Sequence, residues 1–125
     1  MRIDRIDHLV LTVADLDRTL AFYTRVLGMT AETFGEGRTA LHFGRHKINL
    51  HVAGAEFEPR AAAAAPGTAD FCLITESPLA EVQAELAAAG VPVEVGPVTK
   101  EGALGEMRSV YVRDPDDNLV EISVY

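Results

Sequence analysis

The chain has 125 residues, 48% of them hydrophobic, which suits one domain with a substantial core. Nineteen acidic side chains against eleven basic ones give a formal net charge of −8, which argues against nucleic acid or an anionic membrane as partner, because phosphate contacts need a basic surface. No apolar run approaches the roughly 18 residues of a membrane span, and the opening MRIDRIDHLV carries two acids, unlike a secretory leader. The single cysteine, Cys72, cannot form an internal disulfide, and a cytoplasmic location is expected.

The residues RIDHLVLTVADLDRTLAFY, 5–23, read as a strand running into an amphipathic helix. Leu9, Leu11 and Val13 fall on one face of the strand, and His8, Val10 and Thr12 on the other. Asp15 is placed to cap the helix, Leu16, Leu20, Tyr23 and Leu27 recur at helical spacing, and Gly28 ends it. Short strands are predicted over 29–35, 38–43 and 47–52, joined by turns compact enough for hairpins. Residues 53–67 contain EFEPRAAAAAPG, in which prolines and glycines bracket five alanines, and read as a linker.

The pattern then begins again. A strand is predicted over 68–75; Ser77 and Pro78 open a helix whose buried stripe is Leu79, Val82, Leu86 and Ala89; Gly90 closes it. Further strands are predicted over 91–95, 107–113 and 119–125, the last preceded by the turn-forming run DPDDN. Gly28 and Gly90 lie 62 positions apart, and at that offset His8 falls on Asp70. In the last two strands an offset of 70 matches best, placing Thr39 on Ser109, Leu41 on Tyr111 and His51 on Glu121. About eight extra residues then belong to the second half, in PVTKEGALGE at 97–106, which is expected to be a lid carrying Lys100. His8, His51, Asp70 and Glu121 each alternate away from the main apolar stripe.

DHLVLTVADLDRTLAFYTRVLGM, FGRHKINLH and VYVRDPDDNLVEI together resemble the vicinal oxygen chelate superfamily of glyoxalase I, bleomycin-resistance proteins, fosfomycin-resistance enzymes and extradiol dioxygenases, over essentially the whole chain. KINLH, EFEP and PGTAD are similar to its small single-domain glyoxalase-like branch, some members of which are labelled virulence proteins. The resemblance implies an α+β fold of two βαβββ modules, here 1–52 and 68–125, forming a cupped, incompletely closed mixed β-barrel, in a homodimer. It also implies one divalent metal ion, nickel, zinc, iron(II) or manganese, with His8, His51 and Glu121 as ligands. Asp70 stands where metal-binding relatives often have histidine: it is a fourth ligand, an acceptor orienting a histidine, or neither. Asp117 stands where the family's turn often has glycine.

Arg38, Lys100 and Arg108 are candidate contacts for an anionic substrate, and Asn49, two residues before His51 on the same face, is a candidate for substrate or ligand contact. His46 falls in a turn, His42 on a strand whose facing the pattern leaves open, and Cys72 is expected to be a small packing residue. The leading expectation is a metal-dependent lyase or isomerase of the glyoxalase I type, acting on a small α-oxo compound or its thiol adduct, with Glu121 as ligand and base. Two alternatives stand beside it. Two histidines and one carboxylate also make the facial triad of a non-haem iron(II) extradiol-type dioxygenase, and the acidic surface suits a metal-free drug-binding protein that captures cations.

Overall fold

The computed structural model describes residues 1–125, which divide into two compact units, Met1–Thr68 and Ala69–Tyr125. The first unit runs β1 (His8–Val13), α1 (Leu16–Ala21), β2 (Thr30–Phe34), β3 (Arg38–Phe43) and β4 (His46–Val52). Its sheet has the order β1-β4-β3-β2, with β1 parallel to β4 and the other pairs antiparallel. The predicted alternation is realised. Leu11, Val13, Leu41, Ile48 and Leu50 fall on one face of the sheet and are at most 3% exposed, each such burial contributing about 1.5–3 kcal/mol.

Asp15 caps α1, its Oδ1 accepting the Arg18 backbone N–H at 2.9 Å. The helix widens into a π-helical turn over Phe22–Val26, where the Thr24 hydroxyl donates to the Leu20 carbonyl. Phe22 and Tyr23 are both buried there and meet edge to face at 5.1 Å, whereas Leu16, Leu20 and Leu27 of the expected stripe stay half-exposed. Gly28 ends the helix with φ +72°, a left-handed conformation that favours glycine. Residues 53–67 form neither helix nor strand and belong to the first unit.

The second unit repeats the order with β5 (Asp70–Ile74), α2 (Leu79–Ala88), β6 (Val95–Gly102), β7 (Gly105–Arg113) and β8 (Leu119–Val124), its sheet running β5-β8-β7-β6. Val110, Val112 and Val120 are fully buried on one face, and Val82 and Leu86 of α2 are buried as well. Neither sheet closes into a barrel. Pro78 is the N-cap of α2 and no side chain caps the helix, so Ser77, expected to open it with Pro78, lies one residue before the cap. In place of the predicted strand over 91–95 and lid over 97–106, β6 and β7 form a hairpin with its tip at Ala103 and Leu104. Glycine and proline read as breakers there, but β6 is an edge strand, which tolerates both. Gly96 has φ +113°, and a Cβ on it would stand 2.5 Å from the Ser109 carbonyl oxygen.

The DPDDN turn ties β8 to β5. Asp114 Oδ1 accepts the backbone N–H groups of Asp116 and Asn118, Asp114 Oδ2 accepts the Asn118 amide at 2.8 Å, and Asn118 Oδ1 accepts the Ala69 N–H at 2.9 Å. Asp117, at the position where the family's turn often has glycine, takes the left-handed conformation, φ +64°.

Candidate functional site

Each sheet has a second face, away from its buried apolar stripe, and this face carries the candidate residues other than Arg108. In the first unit His8, Val10 and Thr12 of β1 share it with Lys47, Asn49 and His51 of β4 and with Arg38, Ala40 and His42 of β3. In the second unit Asp70 and Cys72 of β5 share it with Glu121 and Ser123 of β8 and with Ser109 and Tyr111 of β7.

The register between first and last strands corrects the repeat. His8 pairs with Lys47, and its counterpart Asp70 pairs with Leu119. Lys47 and Leu119 are therefore equivalent, an offset of 72 rather than 70, and the second half carries ten extra residues rather than eight. Asn49, not His51, is the counterpart of Glu121, and His51 is the counterpart of Ser123. A slip of two residues keeps every side chain on its face, so alternation could not reveal it.

In the second unit a run of polar groups meets Glu121. Ser123 Oγ donates to Glu121 Oε1 at 3.3 Å, lies 2.7 Å from Ser109 Oγ and lies 3.2 Å from Cys72 Sγ, with both serines fully buried. Tyr111 stands directly opposite Glu121 on the neighbouring strand. Desolvation, then a hydrogen bond to Glu121, then the negative charge of Glu121 push its phenol up to about 12. Desolvation also raises the Cys72 thiol, only partly opposed by its contact with Ser123, so Cys72 is no activated nucleophile. Lys100 lies with its Nζ 5.6 Å from the centre of the Tyr111 ring. Arg108 sits on the other face, in line with Val110 and Val112, away from these groups.

In the first unit His8 Nδ1 meets Asp7 Oδ2 at 2.7 Å and leaves Nε2 without a protein partner. Further along the same face Phe34, Arg38, Asn49, His51 and Phe57 line a shallow depression of about 10 Å³, room for one water. Phe57 comes from the 53–67 segment and stacks edge-on against the buried His51 ring at 5.6 Å. The Arg38 guanidinium lies 4.6 Å over the Phe57 ring. Asn49 Oδ1 is buried with no hydrogen-bond partner. His42, whose facing the sequence left open, lies on this face and pairs with Glu32 at 2.7 Å, while His46 Nδ1 lies 2.8 Å from the Ile6 carbonyl. Phe34, Phe57 and Tyr111 were not among the sequence candidates. Tyr111 carried a usable signal, its register opposite Glu121; Phe57 sits in a segment with no periodicity to read.

Residues 5–122 match the Glyoxalase/Bleomycin resistance protein/Dioxygenase superfamily. The chain belongs to this superfamily. Virulence protein STM3117 of Salmonella typhimurium is 54% identical over all of this chain and 87% of its own length. Its crystal structure matches with a TM-score of 0.99, covering 100% of this chain and 99% of that one. The glyoxalase domain-containing protein RDO1 of Mycosarcoma maydis is 51% identical over 96% of this chain and 68% of its own length. A lactoylglutathione lyase from Agrobacterium tumefaciens is 27% identical, with a TM-score of 0.75 and coverage of 98% of this chain and 95% of that one.

Members of the glyoxalase superfamily are often metal-dependent, so the donors of each unit have to be weighed. His8 and His51 lie on adjacent parallel strands but four residues apart in register, roughly 13 Å along the strand. Side chains that stand perpendicular to a sheet do not converge over that distance onto one ion, whose nitrogen ligands lie about 2 Å away. His51 is thus a wall of the depression, and His8 and His51 are not a ligand pair. Asp70 and Glu121 are only two residues apart in register, about 7 Å along the strand, and both lie near enough to Tyr111 to raise its phenol. Two carboxylates are hard oxygen donors of the kind a divalent ion takes. Within neither unit do three His, Cys, Asp or Glu side chains gather. The position equivalent to Glu121 in the first unit is a neutral amide, Asn49, which brings no charge to a cation.

Proposed function

We propose that this chain is a glyoxalase-type lyase or isomerase that moves a proton between neighbouring carbons of a small α-oxo compound, as its hydrate or its thiol adduct. The observation that carries the reading is the setting of Glu121, a half-buried carboxylate held by the Ser123 hydroxyl and faced by the neutral phenol of Tyr111. A base held in one rotamer between two hydroxyls is placed to take a proton from one substrate carbon and return it to the next, with no net change in protonation. Acting on the hydrate of an α-oxo aldehyde, this transfer gives a 2-hydroxycarboxylate. Tyr111, neutral throughout the physiological range, can donate to an oxygen on which negative charge develops. Asp70 and Glu121 would hold a divalent ion, which when bound supplies polarisation of adjacent substrate oxygens. In the first unit His8, with Nε2 free, is the residue competent for the same role.

The dioxygenase alternative loses its footing on geometry, since its facial triad needs two converging histidines and His51 stands apart from His8. The test is elemental analysis of untagged protein with Glu121→Ala and His51→Ala variants, together with deuterium exchange into methylglyoxal, with and without an added thiol. Near-stoichiometric metal kept by His51→Ala and lost by Glu121→Ala, with exchange that needs Glu121, is the expected result. No exchange with any of the four metals added back would refute the proposal.

A further inference from the structure

The polar run beside Glu121 extends one hydroxyl further than the carboxylate's own contacts. Ser109 on β7 and Ser123 on β8 stand directly opposite each other, and neither has any exposed surface. Their hydroxyl oxygens are 2.7 Å apart, and Ser123 is the one hydrogen-bond partner of Ser109 Oγ. Alanine would fill that position on the strand without burying a polar group, whereas a hydroxyl there loses its hydration and has only Ser123 to offset the loss.

The proton count fixes the direction of the run. An ionised carboxylate can only accept, and Ser123 donates to Glu121 Oε1 at 3.3 Å. A hydroxyl has one proton, so Ser123 has none left to give, and Ser109 must be the donor across the 2.7 Å contact. The other lone pair of Ser123 is left to the Cys72 thiol, 3.2 Å away. A hydroxyl that accepts a hydrogen bond is polarised and donates more strongly, and its own rotamer is pinned by the group that donates to it. Ser109 therefore bears on Glu121 without a bond to it. We propose that Ser109 is a positioning residue for Glu121, acting through Ser123: its proton locks the Ser123 hydroxyl onto Oε1, and this holds the carboxylate in the one rotamer from which it serves as base. The role in turnover rests on the glyoxalase-type reading, and the holding itself is read without turnover.

The experiment uses the full chain, uniformly labelled with ¹³C and ¹⁵N, as Ser109→Ala, Ser123→Ala and the double variant. Three-bond couplings in the Glu121 side chain report its rotamer, and deuterium exchange into methylglyoxal reports kcat and KM. The unaltered protein is expected to show one Glu121 rotamer, and both single variants an average over several. Ser109→Ala is expected to lower kcat about tenfold, the scale of one hydrogen bond, with KM within twofold. In the double variant the loss stays that of Ser123→Ala alone, because a residue acting only through Ser123 has nothing to add once that hydroxyl is gone. Ser109→Cys, which keeps a weaker donor, is expected to fall between serine and alanine, and keeps the test decisive if Ser109→Ala does not fold. Should the unaltered chain show no exchange at all, the proposed chemistry fails and the couplings alone decide the role of Ser109. A single Glu121 rotamer retained in both Ser109→Ala and Ser109→Cys, or losses from Ser109→Ala and Ser123→Ala that add in the double variant, would overturn the assignment.

Discussion

Replacing Asn118 by alanine tests the turn that sets β5 against β8, and with it the spacing of Asp70 and Glu121. Asn118 is 1% exposed and uses its side chain twice, donating to Asp114 Oδ2 at 2.8 Å and accepting the Ala69 N–H at 2.9 Å. The first bond ends on a carboxylate, and the second holds the backbone one residue before Asp70. Truncation leaves the part-buried Ala69 donor without Asn118, at about 1–3 kcal/mol when no water replaces it, and removes a hydrogen bond to a carboxylate, worth about 1.5–3 kcal/mol. We expect a loss of about 2–4 kcal/mol, a large share of a typical total of about 5–15 kcal/mol. In urea this moves the midpoint by on the order of 1–2 M at an unchanged slope, with loss of hydrogen-exchange protection at the Ala69 amide. Asn118→Asp keeps the bond to Ala69 but sets a second carboxylate against Asp114, so its deficit is expected to shrink as the pH is lowered and one of the pair takes a proton. A loss below about 1 kcal/mol for Asn118→Ala, with Ala69 still protected, would refute the reasoning by showing that water serves both groups equally well.

Asp117→Gly relieves a left-handed residue and should stabilise the protein by a few tenths to about 1 kcal/mol, read as a rise in melting temperature. Gly96→Ala places a Cβ 2.5 Å from the Ser109 carbonyl oxygen at φ +113° and should cost about 2–4 kcal/mol in chemical denaturation; an unchanged midpoint would contradict the close approach. One of the three tyrosines, Tyr111, should titrate near pH 12 in phenolate absorbance and shift towards 10 in Glu121→Gln. Because its folded value is raised, the stability linked to Tyr111 is fully present below pH 10 and is lost as the pH rises from 10 towards 12.

Most of the architecture was legible because alternation and capping are local signals. Asp15 capped the first helix and Gly28 and Gly90 ended both, the glycines at φ +72° and +70°. The four positions His8, His51, Asp70 and Glu121 all fell on the predicted face. Face and register are different quantities, however. Parity fixes the first, while only hydrogen-bond pairing between distant strands fixes the second, and a two-residue slip hid Asn49 behind His51. The segment 97–106 misled for another reason. Proline and glycine report local backbone preference, whereas an edge strand leaves one side of its backbone unpaired and so accommodates both. Phe57 was invisible because a side chain on an irregular segment has no period to betray its direction.

The equivalence of Asn49 and Glu121 has a chemical corollary. At matching rungs of two like ladders, one unit carries imidazole and amide, His8 and Asn49, and the other carries two carboxylates, Asp70 and Glu121. The first face also presents Arg38 with no acid to neutralise it. The duplicate scaffolds thus carry different donor sets at matching rungs, and the exchange of a single residue, Asn49→Glu, would give the first a carboxylate where the second has Glu121.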